Sequence, residues 1–389
     1  MLAYLDRFSL YLHIPFCRTR CTYCAFNTYA NVETLIPAYV AAMCRELAWL
    51  GAGQPVHTVY FGGGTPSLLS PAQVAGILET VRSAFDLTPD AEITLEANPG
   101  SIDGTYLTRL RSTGVNRLSI GMQSAHAQEL RLFARQHEVG AVGQTVADAR
   151  RAGFDNLSLD LIYGVPNQTL AMWRESVEAA LALAPDHLSL YALGLEAGTP
   201  LARQVERGCL PAPDDDLAAD MYDLADAHVR AAGFAQYEIS NWARPGLACR
   251  HNLQYWRNAP YLGVGAGAHG YAAGIRYEIV HPIRRYIDLA MQQEAPLPFP
   301  MTPTVAQWEA IDAPAAMAEH MLTGLRLIEE GVSAVDFRQR FGVPIREVYG
   351  SALDWLTGNG LLRTDGDSIR LTPRARLLSN QVFVQFMPG

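Results

Sequence analysis

The sequence predicts an α/β protein: a partial parallel (β/α)6 barrel followed by a small, mainly helical module resembling a winged helix. Three observations carry this. Short β-type runs alternate with amphipathic helical stretches from the start to about residue 195, the pattern of a parallel sheet with crossover helices. Polar side chains and glycines fall at the C-terminal ends of those runs, which in a barrel share one rim. Beyond residue 195 the alternation fades into helices and one terminal hairpin.

The strand candidates are Ser9–His13, Thr58–Phe61, Ile93–Glu96, Arg117–Gly121, Leu157–Ile162 and His187–Leu193. Between them, Pro71–Phe85 is the clearest helix. Ser70 supplies the cap, Pro71 fits the first helical position and Gln73 completes a capping box. Further helices are expected over Leu35–Leu50, Thr169–Leu183 and Asp214–Ala232. A segment rich in glycine and aromatics, Cys249–Gly274, follows, and Pro296, Pro298, Pro300 and Pro303 read as a linker. Three helices (Ala315–Glu330, Ser333–Phe341, Ile345–Asn359) then lead to a hairpin, Leu361–Arg363 and Ser368–Leu371, turned at Asp365-Gly366. The expected division is 1–235 for the barrel, 236–300 for a barrel extension and 301–389 for the C-terminal module.

Composition narrows the class. Apolar residues make up 49% of the chain and charged ones 18%, with a net charge of −9. An acidic balance argues against nucleic acid, whose phosphates call for a basic surface, so the terminal module is read as a packing or protein-contact unit. Asp6 and Arg7 interrupt any signal-peptide core, and no apolar run is long enough to span a bilayer. Six cysteines, three of them in one short cluster, do not make a disulfide framework. A cytoplasmic location is expected.

That cluster is Cys17-Arg18-Thr19-Arg20-Cys21-Thr22-Tyr23-Cys24. Three thiolates leave one iron of a [4Fe–4S] cluster without a protein ligand, because position 26 is Phe26. Offsets of four and three also describe one face of a helix, so three inert buried cysteines are an alternative. A zinc site is another, needing a fourth ligand that His13 supplies only at an unusual spacing. Other strand-end positions converge on the same rim. Gly62-Gly63-Gly64-Thr65 follows the second strand, Glu96 closes the third, Gln123 lies past the fourth, and Asp160 sits late in the fifth. Glycines there let backbone approach a ligand closely.

The cysteine spacing with this loop resembles the radical S-adenosylmethionine (SAM) proteins. Tyr11-Leu-His-Ile-Pro-Phe-Cys17, Tyr60-Phe-Gly-Gly-Gly-Thr-Pro-Ser67, Glu96-Ala-Asn-Pro99, Arg117-Leu-Ser-Ile-Gly-Met-Gln-Ser124 and Asp160-Leu-Ile-Tyr-Gly-Val-Pro166 together resemble the oxygen-independent coproporphyrinogen III oxidase family across nearly the whole chain. The resemblance implies that Cys17, Cys21 and Cys24 hold a [4Fe–4S] cluster and that SAM binds its open iron. It implies SAM contacts from Gly63, Gly64, Thr65, Glu96, Gln123, Arg135 and Asp160, with Tyr11 and Tyr23 packing against cluster and cofactor. Ala134 stands where glycine is expected. Reduction of such a cluster cleaves a sulfonium C–S bond and releases a 5′-deoxyadenosyl radical.

Within that family the chain is more similar to the haem chaperone branch, HemW. Phe26 replaces an additional cysteine of the oxidase, and 16 residues precede Cys17 where the oxidase has a longer segment. His251-Asn252-Leu253-Gln254-Tyr255-Trp256 resembles the branch's His-Asn-x-x-Tyr-Trp signature. The resemblance implies a haem carrier in which His251 ligates iron and Tyr255 and Trp256 give flat apolar surface. A histidine hydrogen-bonded in an aromatic core is the alternative, and Cys249 and His269 are lesser haem candidates. Gly265-x-Gly267-x-x-Gly270 lacks the strand and acidic residue of a dinucleotide site. Haem and haem-accepting apoproteins, those of respiration by resemblance, are the expected partners, and a homodimer is left open. A carrier without catalytic residues is favoured over its alternative, an oxidase that decarboxylates coproporphyrinogen III.

Overall fold

The computed structural model describes residues 7–292 and 297–387, so Asp6 and Pro296 lie outside the described residues. Six strands form the expected parallel series: β1 (Phe8–Ile14), β2 (Pro55–Gly63), β3 (Asp86–Ala97), β4 (Arg117–Gln123), β5 (Asn156–Tyr163) and β6 (His187–Ala192). Two hairpin-like extensions widen this sheet. β7 (Ala235–Glu238) and β8 (Asn241–Ala243) add antiparallel to β6, while β9 (Tyr261–Val264) runs parallel to β1. Then β10 (His269–Ala272), β11 (Ile275–Ile279) and β12 (Val305–Ala310) continue antiparallel. The resulting 12-stranded sheet has the order β12-β11-β10-β9-β1-β2-β3-β4-β5-β6-β8-β7.

The strand sequences explain the curvature's two faces. In Ser9-Leu10-Tyr11-Leu12-His13, Glu92-Ile93-Thr94-Leu95-Glu96 and Arg117-Leu118-Ser119-Ile120-Gly121, polar or small residues alternate with aliphatic ones. Successive side chains point to opposite faces of a strand. Leu10, Leu12, Ile93, Leu95, Leu118 and Ile120 join the buried apolar core, facing the helices. The polar set faces inward, so the barrel has a polar interior.

The covering helices include α1 (Ile36–Leu50), α2 (Pro71–Ala84), α3 (Gly104–Ser112), α4 (Val139–Arg151), α5 (Leu170–Ala182) and α6 (Asp215–Ala231). α2 shows why they form. Ser70 accepts from the Gln73 backbone N–H while the Gln73 side chain accepts from Ser70 N–H. Val74, Ile77, Leu78 and Val81 recur on one face and are buried; each contributes about 1.5–3 kcal/mol relative to exposure. Short α7 (Arg250–Trp256) closes the N-terminal end of the barrel, and α8 (Ile283–Gln292) packs on α1.

Pro298, Pro300 and Pro303 lie in a loop that brings the chain back to the sheet as β12. The main sheet therefore reaches past residue 300, where the sequence placed the start of the terminal module. That module comprises α9 (Ala313–Gly324), α10 (Ala334–Phe341), α11 (Ile345–Gly358) and a small sheet of β13 (Val332–Ser333), β14 (Leu362–Asp365) and β15 (Ser368–Leu371) in the order β13-β15-β14. Its own core gathers Met321, Phe337, Leu353, Leu356, Ile369 and Phe386. Arg340 donates to the carbonyls of Arg257 and Asn258, fastening the module to the end of α7. Among the described residues, no helix is long and apolar enough to cross a membrane.

Candidate functional site

The rim of the barrel opens into a cavity of about 910 Å³. Cys17, Cys21, Cys24, Tyr23, Gly63, Gly64, Thr65, Glu96, Gln123, Arg135 and Asp160 all line it, although the sequence separates the first from the last by well over a hundred residues. Tyr11, His251, Tyr255 and Trp256 do not line it.

The cysteine loop is anchored from both sides. Thr22 N–H donates to the Phe133 carbonyl at 3.2 Å, its hydroxyl donates to Leu132 O at 2.6 Å, and Leu201 N–H donates to Thr22 O at 3.0 Å. The Tyr23 ring meets Phe133 edge to face, centroids 4.9 Å apart. These bonds hold Cys21 and Cys24 over the rim. Cys17 leaves the end of β1 directly and is 8% exposed. All three thiols are free, and burial pushes those of Cys17 and Cys24 up in pKa. Thiols held protonated in this way ionise on binding metal, which takes the place of the proton.

The glycine loop is shaped to this loop. Gly63 has φ +116°, and a Cβ there would fall 2.6 Å from the His13 ring. A Cβ on Gly64 would lie 2.9 Å from Cys17 Sγ. Only glycine leaves room for sulfur and a ligand together. Thr65 donates its hydroxyl toward Cys17 Sγ at 3.6 Å and accepts from the Asn98 amide at 3.1 Å.

Asn98 is the hub that sequence reasoning overlooked, although it stands in the Glu96-Ala-Asn-Pro99 motif. Its amide carbonyl accepts from Arg135, whose second nitrogen donates to Tyr23 Oη at 3.5 Å. Among the described residues, Arg135 Nε is buried without a partner. Ala134 adopts φ +56°, the left-handed conformation that glycine takes freely, which explains why glycine is expected there.

Glu96 accepts from Tyr60 Oη at 2.9 Å and from Gly63 N–H at 3.1 Å. Burial, reinforced by the neighbouring Asp160, raises its pKa to about 7. Asp160 accepts from Ser119 and Ser158 hydroxyls at 3.0–3.3 Å, and burial raises it too. The rim thus offers a carboxylate pair for an ammonium or ribose, and a guanidinium for a carboxylate. The donor set fits an iron–sulfur cluster with one open corner: three free cysteines on one loop, beside a cradle that side chains would fill. Phe26 lines the same cavity at 67% exposure and offers no ligand atom. No three His, Cys, Asp or Glu side chains among the described residues gather closely enough for a single metal ion.

The signature segment sits at the other end. His251, 1% exposed, shares hydrogen bonds with Thr58 Oγ1 at 2.8 Å through Nδ1 and with Tyr255 Oη at 2.9 Å through Nε2. Its ring stacks on Tyr60 at 5.0 Å, and burial depresses its pKa to about 3. Both nitrogens are engaged, and the ring sits as a neutral imidazole in an aromatic setting. Tyr255 packs on Tyr261, and the Arg326 guanidinium lies 4.3 Å over the Trp256 ring. These two rings brace α7 rather than face the cavity. Cys249 is also buried there, its thiol against Glu92 at 3.5 Å. Tyr11 hydrogen-bonds His13 at 3.0 Å beneath the rim. His269 is exposed on β10, opposite Glu278. Of the signature, Asn252 alone reaches the cavity lining.

The comparisons agree with this architecture. A model of the radical SAM superfamily matches residues 11–180, and one of the HemN C-terminal domain matches residues 311–378. A Mycobacterium tuberculosis protein named Heme chaperone HemW is 42% identical over 382 residues, 96% of this chain and 93% of the relative. A Bacillus subtilis protein of the same name is 37% identical over 383 residues, 97% and 99% of the two chains. Among solved structures, the Escherichia coli coproporphyrinogen III oxidase HemN, described as a radical SAM enzyme, superposes with a TM-score of 0.83 at 24% identity, covering 98% of this chain and 90% of that one. That likeness is one of fold. Membership of the superfamily implies SAM and a [4Fe–4S] cluster. With its chain-long identity to curated relatives and a cavity built from three cysteines and a glycine cradle, the chain belongs to the HemW family of radical SAM proteins.

Proposed function

We propose that this protein is a haem chaperone that binds haem beside a SAM-ligated [4Fe–4S] cluster and passes it to haem-requiring apoproteins, those of respiration foremost. The observation that carries the reading is identity of 42% over 96% of the chain with a relative named for that role. Cys17, Cys21 and Cys24 hold the cluster. Gly63, Gly64 and Thr65 cradle the amino-acid end of SAM, Glu96 takes its ammonium, Arg135 its carboxylate, and Gln123 and Asp160 the ribose side. When bound, the cluster and SAM supply one-electron chemistry at the open iron. In a carrier this serves to gate or order the site, and no side chain is assigned a catalytic role.

Haem contact at His251 is replaced by contact at the cavity mouth. Exposed rings there, Phe26 at 67% and Tyr191 at 43%, both line the cavity and give a porphyrin the flat apolar surface first sought at Tyr255 and Trp256. The net charge of −9 fits a protein working in the cytoplasm on protein partners.

Anaerobic reconstitution followed by haemin titration tests the reading. A saturable Soret shift is expected, retained in His251→Ala and weakened in Phe26→Ala. No shift in the wild type rules the carrier out. Protoporphyrinogen formed from coproporphyrinogen III with SAM and a reductant favours the oxidase instead.

A further inference from the structure

The cavity does not end at the rim. Along β4, Arg117, Ser119, Gly121 and Gln123 all line it, as the two-residue period of a strand requires. Arg117 pairs with Thr94 and Ser119 with Glu96, so the guanidinium side chain starts one inward-facing layer below Glu96, roughly 7 Å deeper along the strand. It is 2% exposed. Among the described residues it makes no hydrogen bond and no ion pair, and its Nε is buried without a partner.

Glu92 attracts it through space, but none of the surrounding carboxylates makes a hydrogen bond or ion pair to it among the described residues; each is held by other donors. Glu92 accepts from the backbone N–H groups of Arg250 and His251 and from the Cys249 thiol. Glu96 is held by Tyr60 and Gly63, and Asp160 by Ser119 and Ser158. His187, on the neighbouring floor, is spent between Ser158 and Tyr237. A permanently charged fork with five donors thus sits unpaired at the closed end of a cavity. Beside it, Asn252 lines the same cavity, its amide donating to Tyr237 Oη at 3.5 Å. The charge of a buried guanidinium calls for an oxyanion, and its planar geometry suits a carboxylate held by two parallel bonds.

We propose that the closed end of the cavity is a carboxylate-binding subsite anchored by Arg117, with the Asn252 amide at its edge. It is separate from the SAM carboxylate position at Arg135, and it takes a carboxylate arm of a ligand whose body lies toward the mouth. For a tetrapyrrole, that arm is a propionate; this choice of ligand rests on the haem reading above. The signature helix then serves the site by presenting Asn252, while His251 and Tyr255 set its position.

The test compares haemin with its dimethyl ester on the anaerobically reconstituted full chain with SAM present. Wild type is expected to bind the diacid about tenfold more tightly than the diester, the effect of one charge-assisted bidentate pair. Arg117→Gln is expected to erase the difference by weakening the diacid alone, and Asn252→Ala to reduce it. Arg117→Lys, which keeps the charge but loses the fork, retains part of it and serves if the glutamine variant does not fold. An unchanged diacid-to-diester ratio in folded Arg117 variants overturns the subsite while leaving haem binding intact. If neither porphyrin binds the wild type, the haem reading fails, and sodium propionate becomes the probe. A thermal midpoint raised by propionate more in wild type than in Arg117→Lys then supports the subsite, and equal rises overturn it.

Discussion

The two ends of the barrel are built from the same residue types and do opposite things. At the rim, Cys17, Cys21, Cys24, Glu96 and Arg135 converge on open space, and Arg135 keeps an unspent donor. At the floor, Thr58, His251, Tyr255, His187 and Tyr237 spend their polar atoms on one another. Burial alone does not separate them, since both ends are largely shielded from water. The difference is whether hydrogen-bonding capacity is used up. A satisfied imidazole is scaffold, whereas an unsatisfied one beside a cavity is a binding group. Arg117 stands out because it lies near the floor yet has the unpaired character of the rim.

The largest effect expected from this contrast is loss of the cluster. Cys17→Ser, Cys21→Ser or Cys24→Ser should drop bound iron and sulfide from about four each per chain to background after reconstitution. Cys249→Ser, at the floor, should leave the content unchanged. Cluster loss in Cys249→Ser would erase the distinction between the two ends.

Next in size is the cost of opening the floor. His251→Ala strands the hydroxyls of Thr58 and Tyr255 and leaves a cavity, which should cost about 2–4 kcal/mol of unfolding free energy, read from urea midpoints. The sign of its pH dependence follows from burial. The unfolded imidazole gains a proton below about 6.5, the buried one not until about 3. Wild-type stability should therefore fall as pH drops from 6.5, by about 1.4 kcal/mol per unit from this residue, and His251→Ala should lose that share of the slope. A variant that keeps full stability but loses haem would return His251 to the binding site.

A smaller effect sharpens the rim. An ammonium needs ionised Glu96, whose pKa lies near 7. SAM affinity, measured by calorimetry on reconstituted protein, should weaken about tenfold per pH unit below that value. Glu96→Gln should bind weakly at every pH. A flat wild-type profile would remove the ammonium from Glu96.

The smallest concerns the Arg135 loop. Ala134 at φ +56° carries a left-handed penalty that glycine lacks. Ala134→Gly should raise stability by a few tenths to about 1 kcal/mol, with SAM affinity preserved. A loss of stability would show that the alanine methyl packs better than its backbone suffers.

These contrasts also mark what sequence could reveal. The capping box at Ser70 and the alternation in Ser9–His13 or Arg117–Gly121 are local, so the barrel and its helices were legible. The rim was legible because strand ends in a parallel barrel share one side. His251 was ambiguous because its chemistry suits iron as well as a core. The partner that decides between them, Thr58, is 193 residues away. Asn252 and Asn98 drew no attention because neutral amides carry neither charge nor metal affinity, yet both reach the cavity. β12 went unassigned between the proline-rich stretch and the first terminal helix, and only its pairing with β11 makes it a strand.

One contact far from the cluster constrains how the floor behaves. The Arg326 guanidinium is laid over Trp256 at 4.3 Å, and Arg257 at the end of the same short helix is paired with Glu330. The winged appendage thereby acts as a bolt on the plug of the barrel. Opening the lower end of the barrel requires that bolt to slide, so the floor and the appendage are expected to loosen together.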